Sequence, residues 1–274
     1  MDERVIMHKG FIRGISAVLI GLWSAMLFSE TEGVFDEYRA MLGDDNPAIF
    51  VIFDGEEIWF TPAGPKSASL EQCDLGLGPG VVEGAYAQLP RYFADVDRVQ
   101  DVEARLEHCM TQLQGLTPAE VHGKPYSLRG DLGTELEALV AWIADQSSGL
   151  AIAPMQAHAK ERATYELGER LFYYRAGPHD FSCATCHEQG GRRIRLQTLP
   201  NLTTYQGAAE AYSSWPAYRI SQGIVRTMGW RMRDCMRQQR MPELVMGSEA
   251  TVALQTYLAV NGAGAPMAAP GLKR

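Results

Sequence analysis

The sequence predicts a mainly α-helical protein that contains two similar units. Apolar residues recur at helical spacing in several segments, most clearly over 136–143. The segment 138–144 has a counterpart at 253–259, an offset of 115 (253 − 138) that indicates an internal repeat. The second unit also contains Cys183-Ala184-Thr185-Cys186-His187, and C-x-x-C-H is the signature by which c-type haem is attached.

The C-x-x-C-H motif predicts one covalently attached haem c. The thiols of Cys183 and Cys186 form thioethers with the haem vinyl groups, and His187 binds the iron as the proximal ligand. A zinc site would need two further ligands at comparable spacing, and the sequence has no second C-x-x-C and no H-x-x-x-H. Each unit is therefore predicted to be a cytochrome c-like domain.

The amino-terminal segment predicts export. Lys9 and Arg13 precede an apolar run over 14–28, which has the length of a signal-peptide core and is short for a membrane span of about 20 residues. We predict a signal peptide over 1–29, cleaved between Ala25 and Glu32, and a periplasmic protein without a membrane span after processing. The formal net charge of −8 argues against a surface for nucleic acid.

The first domain is predicted over 30–150. Two short strands are expected at 48–53 and 58–60, followed by a loop over 61–80. Helical spacing from 99 to 113 places Cys109 on a helix. Thr134 and Glu137 form a capping-box pattern that begins a further helix, which ends before the Ser-Ser-Gly at 147–149.

The second domain is predicted over 151–262. A linker at 150–163 leads to a helix through Leu167 and Leu171, and the haem motif follows. A long loop is expected over 188–216, and Ser248 can cap a last helix that runs to Val260. The residues 263–274 are rich in Ala, Pro and Gly and are predicted to be a flexible tail.

The first domain is predicted to be degenerate and to lack a haem. Cys73 precedes Cys183 by 110 positions (183 − 73), but Gly76 and Leu77 stand where the second thiol and the histidine would be. Cys109 precedes Cys235 by 126 positions (235 − 109). A Cys73–Cys109 disulfide is favoured, since it leaves Cys235 for a chemical role. Pairing of either cysteine with Cys235, or a haem held by one thioether, remains open.

The distal ligand of the haem iron is open at this point. Cys235 lies in an arginine-rich segment, and cations favour a reactive thiolate and attract small anions. Methionine is the usual distal ligand in cytochromes c, and it lies in the same window. The methionine candidates are Met228, Met232, Met236, Met241 and Met246, and the arginines are Arg231, Arg233, Arg237 and Arg240.

Three segments resemble one family. Residues 231–240 (Arg-Met-Arg-Asp-Cys-Met-Arg-Gln-Gln-Arg) look like the active-site segment of SoxA, the haem-bearing subunit of the SoxAX thiosulfate-oxidising cytochromes. Residues 68–80 and 89–93 are also similar to that family. The resemblance implies that His187 and Cys235 are the axial ligands of the iron. It also implies that Cys235 is catalytic and occurs as a persulfide, that Arg231 lines the substrate site, and that Cys73 and Cys109 form the disulfide of monohaem members.

The same resemblance implies the reaction and the partners. The activity would be that of an L-cysteine S-thiosulfotransferase, which conjugates thiosulfate to a cysteine of SoxY in the SoxYZ carrier while electrons pass to haem. A small SoxX-type cytochrome c would complete a heterodimer, and the aromatic side chains of Tyr173, Tyr174 and Trp215 are candidates for a partner surface. The alternative is a monohaem electron-transfer cytochrome c with methionine ligation and no catalytic role.

Overall fold

The computed structural model describes residues 46–122, 134–194 and 197–274. The predicted signal peptide and its cleavage region lie outside these residues. Residues 47–274 form one compact unit. Within the described ranges, every helix is too short or too polar to cross a bilayer.

The first half of this unit contains four helices and one hairpin. In order, they are α1 (Ala48–Phe60), β1 (Arg91–Phe93), β2 (Arg98–Gln100), α2 (Val102–Cys109), α3 (Pro118–His122) and α4 (Glu135–Asp145). A single π-helical turn, Met110–Gln114, continues α2.

The second half contains five helices and five short strands. In order, they are α5 (Ala159–Tyr173), α6 (Cys183–His187), β3 (Arg193–Ile194), β4 (Gln197–Thr198), α7 (Tyr205–Ser213), β5 (Ala217–Arg219), β6 (Ile224–Arg226), α8 (Met228–Gln238), α9 (Glu249–Asn261) and β7 (Gly271–Lys273). The predicted mainly α-helical class is confirmed.

One close helix crossing occurs in each half and reveals the repeat. Gly55 of α1 packs on Ala138 of α4, and Gly168 of α5 packs on Ala253 of α9. At both glycines an added Cβ atom would collide with the backbone carbonyl of the opposing alanine. Only glycine allows the two helices to approach so closely. Ala138 and Ala253 are the residues that begin the repeated segments in the sequence, so the repeat is also a repeat of structure.

A hairpin followed by a helix is the second repeated feature. In the first half Tyr92 of β1 pairs with Val99 of β2, and α2 follows. In the second half Tyr218 of β5 pairs with Val225 of β6, and α8 follows. The offset is 126 (218 − 92), which is also the offset between Cys109 and Cys235. Each cysteine therefore lies on the helix that leaves the hairpin of its own half.

The prediction of two strands over 48–60 is wrong, because the segment is the single helix α1. Its buried residues, Ala48, Ile52, Gly55 and Trp59, are spaced as one face of a helix. The aromatic and β-branched residues of this segment suggested strands. The Asp-Gly pair looked like a turn, but Gly55 is needed for the contact with α4.

The helix boundaries that rest on capping patterns are confirmed. Thr134 Oγ1 accepts the Glu137 amide at 3.2 Å, and the Glu137 carboxylate accepts the Thr134 amide at 3.0 Å. Ser248 caps α9 through the Thr251 amide. These contacts satisfy amide groups that have no partner within the helix itself.

Two segments predicted to be irregular are ordered. The long loop 188–216 contains the β3–β4 pair and α7, which Thr204 caps. The predicted flexible tail ends in β7, which pairs in parallel with β5, with Leu272 opposite Tyr218. Composition alone suggested disorder, but the open edge of β5 offers backbone partners that order the end of the chain.

Cys73 and Cys109 form a disulfide with their Cα atoms 5.5 Å apart. Both residues are buried, at 1% and 3% exposure. The bridge closes a separation of 36 residues, which removes unfolded-chain entropy worth roughly 3–4 kcal/mol. Within the first half it ties the loop after α1 to the carboxyl end of α2.

Contacts between the halves are buried and polar as well as apolar. The Tyr212 hydroxyl donates to the Leu89 carbonyl at 2.9 Å, and the Tyr86 hydroxyl donates to the Trp215 carbonyl at 3.0 Å. Trp215 is only 6% exposed, so its predicted place on a partner surface is wrong. Tyr173 and Tyr174 are 43% and 65% exposed and remain candidates for such a surface.

Candidate haem and thiol site

The haem motif occupies one short helix, α6, that begins directly after its cap. The Ser182 hydroxyl accepts the Thr185 amide at 3.2 Å, and the Thr185 hydroxyl accepts the Ser182 amide at 2.9 Å. Cys183 and Cys186 are three residues apart, so both thiols lie on one face of the helix. Burial, reinforced by nearby Cys235, raises the pKa of the Cys183 thiol to about 12.

His187 is oriented for metal binding. Its Nδ1 atom lies 3.0 Å from the Pro200 carbonyl oxygen, so Nδ1–H donates and the Nε2 lone pair is left for a metal. Burial lowers the pKa of His187, which favours the neutral imidazole that a metal requires. Histidine ligands usually have such a hydrogen-bonded partner. Two thiols and an oriented imidazole on one helix thus fit a covalently attached c-type haem.

Cys235 is brought to the same site from α8. The Thr227 hydroxyl caps this helix by accepting the Trp230 amide at 3.1 Å. The Cys235 thiol lies near enough to Cys183, Cys186 and Arg231 to interact with each of them electrostatically. The residues predicted for haem attachment and for chemistry are therefore brought together by two helices that are distant in sequence.

The sequence predicts that the neighbouring arginines favour a thiolate at Cys235, and this expectation needs correction. Burial raises the pKa of the Cys235 thiol, and Arg231 only partly opposes that rise. Arg233 is engaged by Glu243, and Arg237 by Asp234 at 2.6 Å, so these cations are compensated by carboxylates. A metal ligated by Cys235 would deprotonate the thiol directly.

Arg231 is the arginine that acts on both predicted axial ligands. Its charge influences the titration of Cys235 and of His187. Its side chain is 29% exposed, and its contact with Asp234 is long, at 3.6 Å. Because Asp234 also accepts from Arg237 and from Gln238, each at 2.6 Å, Arg231 keeps donors for an incoming anion.

Four of the five methionine candidates serve the packing of the protein. Met228 is 4% exposed in the main hydrophobic core, and Met246 is 7% exposed and packs against Trp230. Met232 and Met236 are partly buried and pack against the main core. The thiol of Cys235, by contrast, interacts with both cysteines of the haem motif.

The first half contains an altered copy of this site. Arg105 and Cys109 match Arg231 and Cys235 at the offset of 126 (231 − 105). Arg105 is 4% exposed and donates to the Asp74 carbonyl at 2.6 Å and to Asp95 at 2.7 Å. Its guanidinium donates to acceptors of the protein itself, and the disulfide consumes Cys109.

The lost attachment site is altered as well. Gly76 stands where a second thiol would be, and an added Cβ atom there would collide with the Arg91 side chain. Sequence reasoning missed the arginine copy, although the repeat of R-x-x-x-C at the offset of 126 would have revealed it. It also missed Asp234 as the carboxylate that holds the arginines, because only the fold shows which cations it meets.

Comparison with known proteins identifies the family. Over 239 residues the chain is 52% identical to the "L-cysteine S-thiosulfotransferase subunit SoxA" of Hydrogenophilus thermoluteolus, and the match covers 87% of each protein. The chain belongs to the SoxA family. A SoxA protein of Hydrogenobacter thermophilus is 34% identical over 221 residues, with 80% of this chain and 79% of that protein covered.

The SoxA family assignment extends to the domain architecture. The family model described as "SoxA/TsdA, cytochrome c domain" matches residues 54–152 and again 167–267, which confirms two cytochrome c-like domains. The crystal structure of SoxXA from P. pantotrophus contains a chain with the same fold, with a TM-score of 0.71 at 24% identity. That match covers 87% of this chain and 84% of the other.

A buried carboxyl pair lies beside the helix that carries Cys235. The Asp101 carboxylate accepts the Ala104 amide at 2.8 Å and the Gln255 side chain at 2.6 Å. Glu103 is 2% exposed and lies against Gly229 of α8. Burial raises the pKa of Asp101 to about 6, and burial together with the Asp101 charge raises the pKa of Glu103 well above its usual range.

This pair predicts that stability falls as pH rises. The folded protein binds protons at Asp101 and Glu103 more tightly than the unfolded chain, whose carboxyl groups titrate near pH 4. Their contribution is fully present below about pH 4 and is lost as pH rises through about 6 and beyond. Glu103→Gln should reduce the fall in the free energy of unfolding between pH 5 and 8, measured by urea denaturation.

The matched control for this prediction is Glu56→Gln, because Glu56 is exposed on α1. It should reproduce the pH dependence of the wild type. If Glu103→Gln and the wild type have the same pH dependence, the buried pair does not carry the effect.

Proposed function

We propose that this chain is the L-cysteine S-thiosulfotransferase subunit of a thiosulfate-oxidising cytochrome. The proposal depends on one main observation. Cys235 and Arg231 lie beside the C-x-x-C-H helix, in one site. The relatives in Hydrogenophilus thermoluteolus and Hydrogenobacter thermophilus carry the name of this activity. The disulfide that consumes Cys109 in the first half supports a single reaction centre.

One haem c, attached through Cys183 and Cys186 and ligated by His187 and Cys235, completes the proposed site. The donor set and the hydrogen bond from His187 to the Pro200 carbonyl support this assignment. When bound, the haem would supply an electron acceptor and an iron that the thiol can ligate. In the first domain, proposed over 30–150, the Cys73–Cys109 disulfide takes the place of a haem.

The proposed reaction joins thiosulfate to a cysteine of a carrier protein. One sulfur–sulfur bond forms between the terminal sulfur of thiosulfate and the carrier thiol. The thiol releases one proton, and two electrons pass to c-type cytochrome haem. The product carries one negative charge, so charge and atoms balance.

The residues of this chain perform the proposed steps as follows. Arg231 binds and orients the dianion through paired hydrogen bonds from its planar guanidinium. Cys235, in thiol or persulfide form, is the group that reacts with the sulfur of the substrate. Partial burial of Cys235 limits the access of water to the sulfur.

The proposed partners follow from the electrons and the carrier. A small SoxX-type cytochrome c would form a heterodimer and accept electrons, and the SoxYZ carrier would present its cysteine. Tyr173 and Tyr174 are exposed at the end of α5, close in sequence to the haem helix, and suit a partner contact.

A periplasmic location, reached through a signal peptide over 1–29, supports covalent haem attachment. The second domain is proposed over 151–262.

Replacing Arg231 tests the proposal. Arg231→Lys in the holoprotein with its partners should lower kcat/KM for thiosulfate at least about tenfold, because an ammonium group cannot make paired hydrogen bonds to an oxyanion. Arg170→Lys, on the exposed face of α5, is the matched control and should match the wild type. The measurement is the thiosulfate-dependent modification of the carrier cysteine, followed by mass spectrometry.

Two results would contradict the proposed function. If the haem of the wild-type holoprotein is reduced and oxidised normally but the carrier is never modified, the protein is an electron-transfer cytochrome. Equal kcat/KM in Arg231→Lys and the wild type would remove Arg231 from the substrate site. An intact-mass spectrum of the mature protein also tests the site, since it reports the number of haems, the disulfide and any extra sulfur on Cys235.

A further inference from the structure

Arg219 is a cation that the sequence did not single out. It ends β5, where its backbone pairs with Ile224 of β6 and with Lys273 of β7. Its side chain is half-buried, and its Nε atom is buried without a hydrogen-bond partner among the residues that the structure describes. A buried guanidinium donor without an acceptor is costly, so a partner from outside the chain is indicated.

The charges that act on Arg219 belong to the proposed substrate site. Burial, followed by the positive charge of Arg231, lowers the pKa of Arg219 to about 10. Asp234 opposes this, and Arg226 adds to it. Arg226 itself is compensated by Glu137 at 3.0 Å, with both side chains buried. Arg219 is therefore near enough to Arg231 and Asp234 for both charges to act on it.

The charge of this group suits a doubly negative ligand. The Asp234 carboxylate contacts Arg231 and Arg237, and its charge also acts on Arg219. Asp234 neutralises one of these three charges, so two positive charges remain. A dianion would satisfy the buried Nε donor of Arg219 and relieve the repulsion between Arg219 and Arg231.

We propose that Arg219 is a second guanidinium of the substrate site and that it selects for a doubly charged oxyanion. This proposal rests on the proposed function and deepens it by assigning the preference for thiosulfate to a pair of arginines. Arg231 reaches the reacting sulfur through its position beside Cys235. Arg219 holds the anion from the hairpin side and orients it against α8.

The test uses the holoprotein with its partner subunit and measures thiosulfate binding by calorimetry, without turnover. Arg219→Gln should raise the Kd for thiosulfate about tenfold, the effect of losing one charge-assisted contact. Arg219→Lys keeps the charge and should recover part of that loss. Arg170→Gln removes an exposed charge from α5 and should leave the Kd unchanged.

A second ligand tests the preference for charge. Methanethiosulfonate has one negative charge and a similar sulfur–sulfur unit. The wild type should bind thiosulfate more tightly than methanethiosulfonate, and Arg219→Gln should reduce that preference because it removes one of the two uncompensated charges.

The outcomes separate this inference from its rivals. An unchanged Kd in Arg219→Gln, together with a shifted reduction potential, would assign Arg219 to a haem propionate and overturn the proposal. Equal Kd values and equal potentials would also overturn it. If Arg219→Gln does not fold, a Kd in Arg219→Lys equal to that of the wild type overturns the proposal, and a raised Kd supports it.

Failure of the proposed function has a different signature. Normal thiosulfate binding that depends on Arg219, without any modification of the carrier, would refute the transferase reaction and support the anion site. A wild type that binds no thiosulfate would refute both.

Discussion

Cys235→Met is expected to reduce thiosulfate transfer at least about 10³-fold while the haem stays attached. Attachment depends on Cys183 and Cys186 of α6, whereas Cys235 lies on α8, so the substitution leaves both thioethers intact. Methionine has nearly the size of a cysteine persulfide, but a thioether forms neither a thiolate nor a sulfur–sulfur bond with the substrate. The measurements are the intact mass and the rate of carrier modification.

Met236→Leu is the control for this experiment. Met236 is the next residue on α8 and packs against the core. The volume-conserving change should leave both the rate and the visible spectrum of the haem unchanged. Retained turnover in Cys235→Met would contradict the catalytic role of the thiol, and a changed spectrum in Met236→Leu would indicate methionine ligation and an electron-transfer protein.

Arg226→Met is expected to destabilise the protein by about 3–5 kcal/mol, because it leaves a buried carboxylate without its partner. Arg226 and Glu137 are 0% and 1% exposed and 3.0 Å apart. Burial raises the pKa of Glu137, and Arg226 opposes that rise. The pair joins β6 of the second half to α4 of the first, and Arg226 directly precedes the cap of α8.

The double variant Arg226→Met/Glu137→Gln should recover much of the loss, because no charge then remains buried. The free energy of unfolding, measured by urea denaturation, tests both variants. Arg175→Met is the matched control. It breaks an exposed ion pair with Asp180, where both side chains are more than half exposed, and should cost less than about 1 kcal/mol. Equal losses in Arg226→Met and Arg175→Met would contradict the role of burial.

The Arg226–Glu137 pair also shows where prediction from the sequence ends. Glu137 was predicted correctly as part of a capping box, because a cap depends on residues only three positions apart. Its partner Arg226 is 89 positions away, and the pattern of neither segment indicates the contact. Arg219 and Asp234 were missed for the same reason, since their roles arise only where the hairpin of β5 and β6 meets α8.

The α1 segment and the end of the chain show the same limit. Residues 48–60 contain strand-forming residues, but they form a helix whose Gly55 packs closely against Ala138. The last residues have a composition typical of a flexible tail, but β5 offers them an edge to pair with. In both places a distant partner overrides local preference.

The sequence by itself determined the features whose chemistry depends on short spacing. C-x-x-C-H predicted the c-type haem that the family implies, the caps predicted helix ends, and the repeat predicted two related domains. Tertiary structure alone decided which distant residues share the site. It placed Cys235 and Arg231 against the haem helix and Arg219 near Arg231, and in the first half it engaged the equivalent Arg105 with acceptors of the protein itself. The physical reason is that burial and compensation of charge depend on contacts between segments, which no short pattern contains.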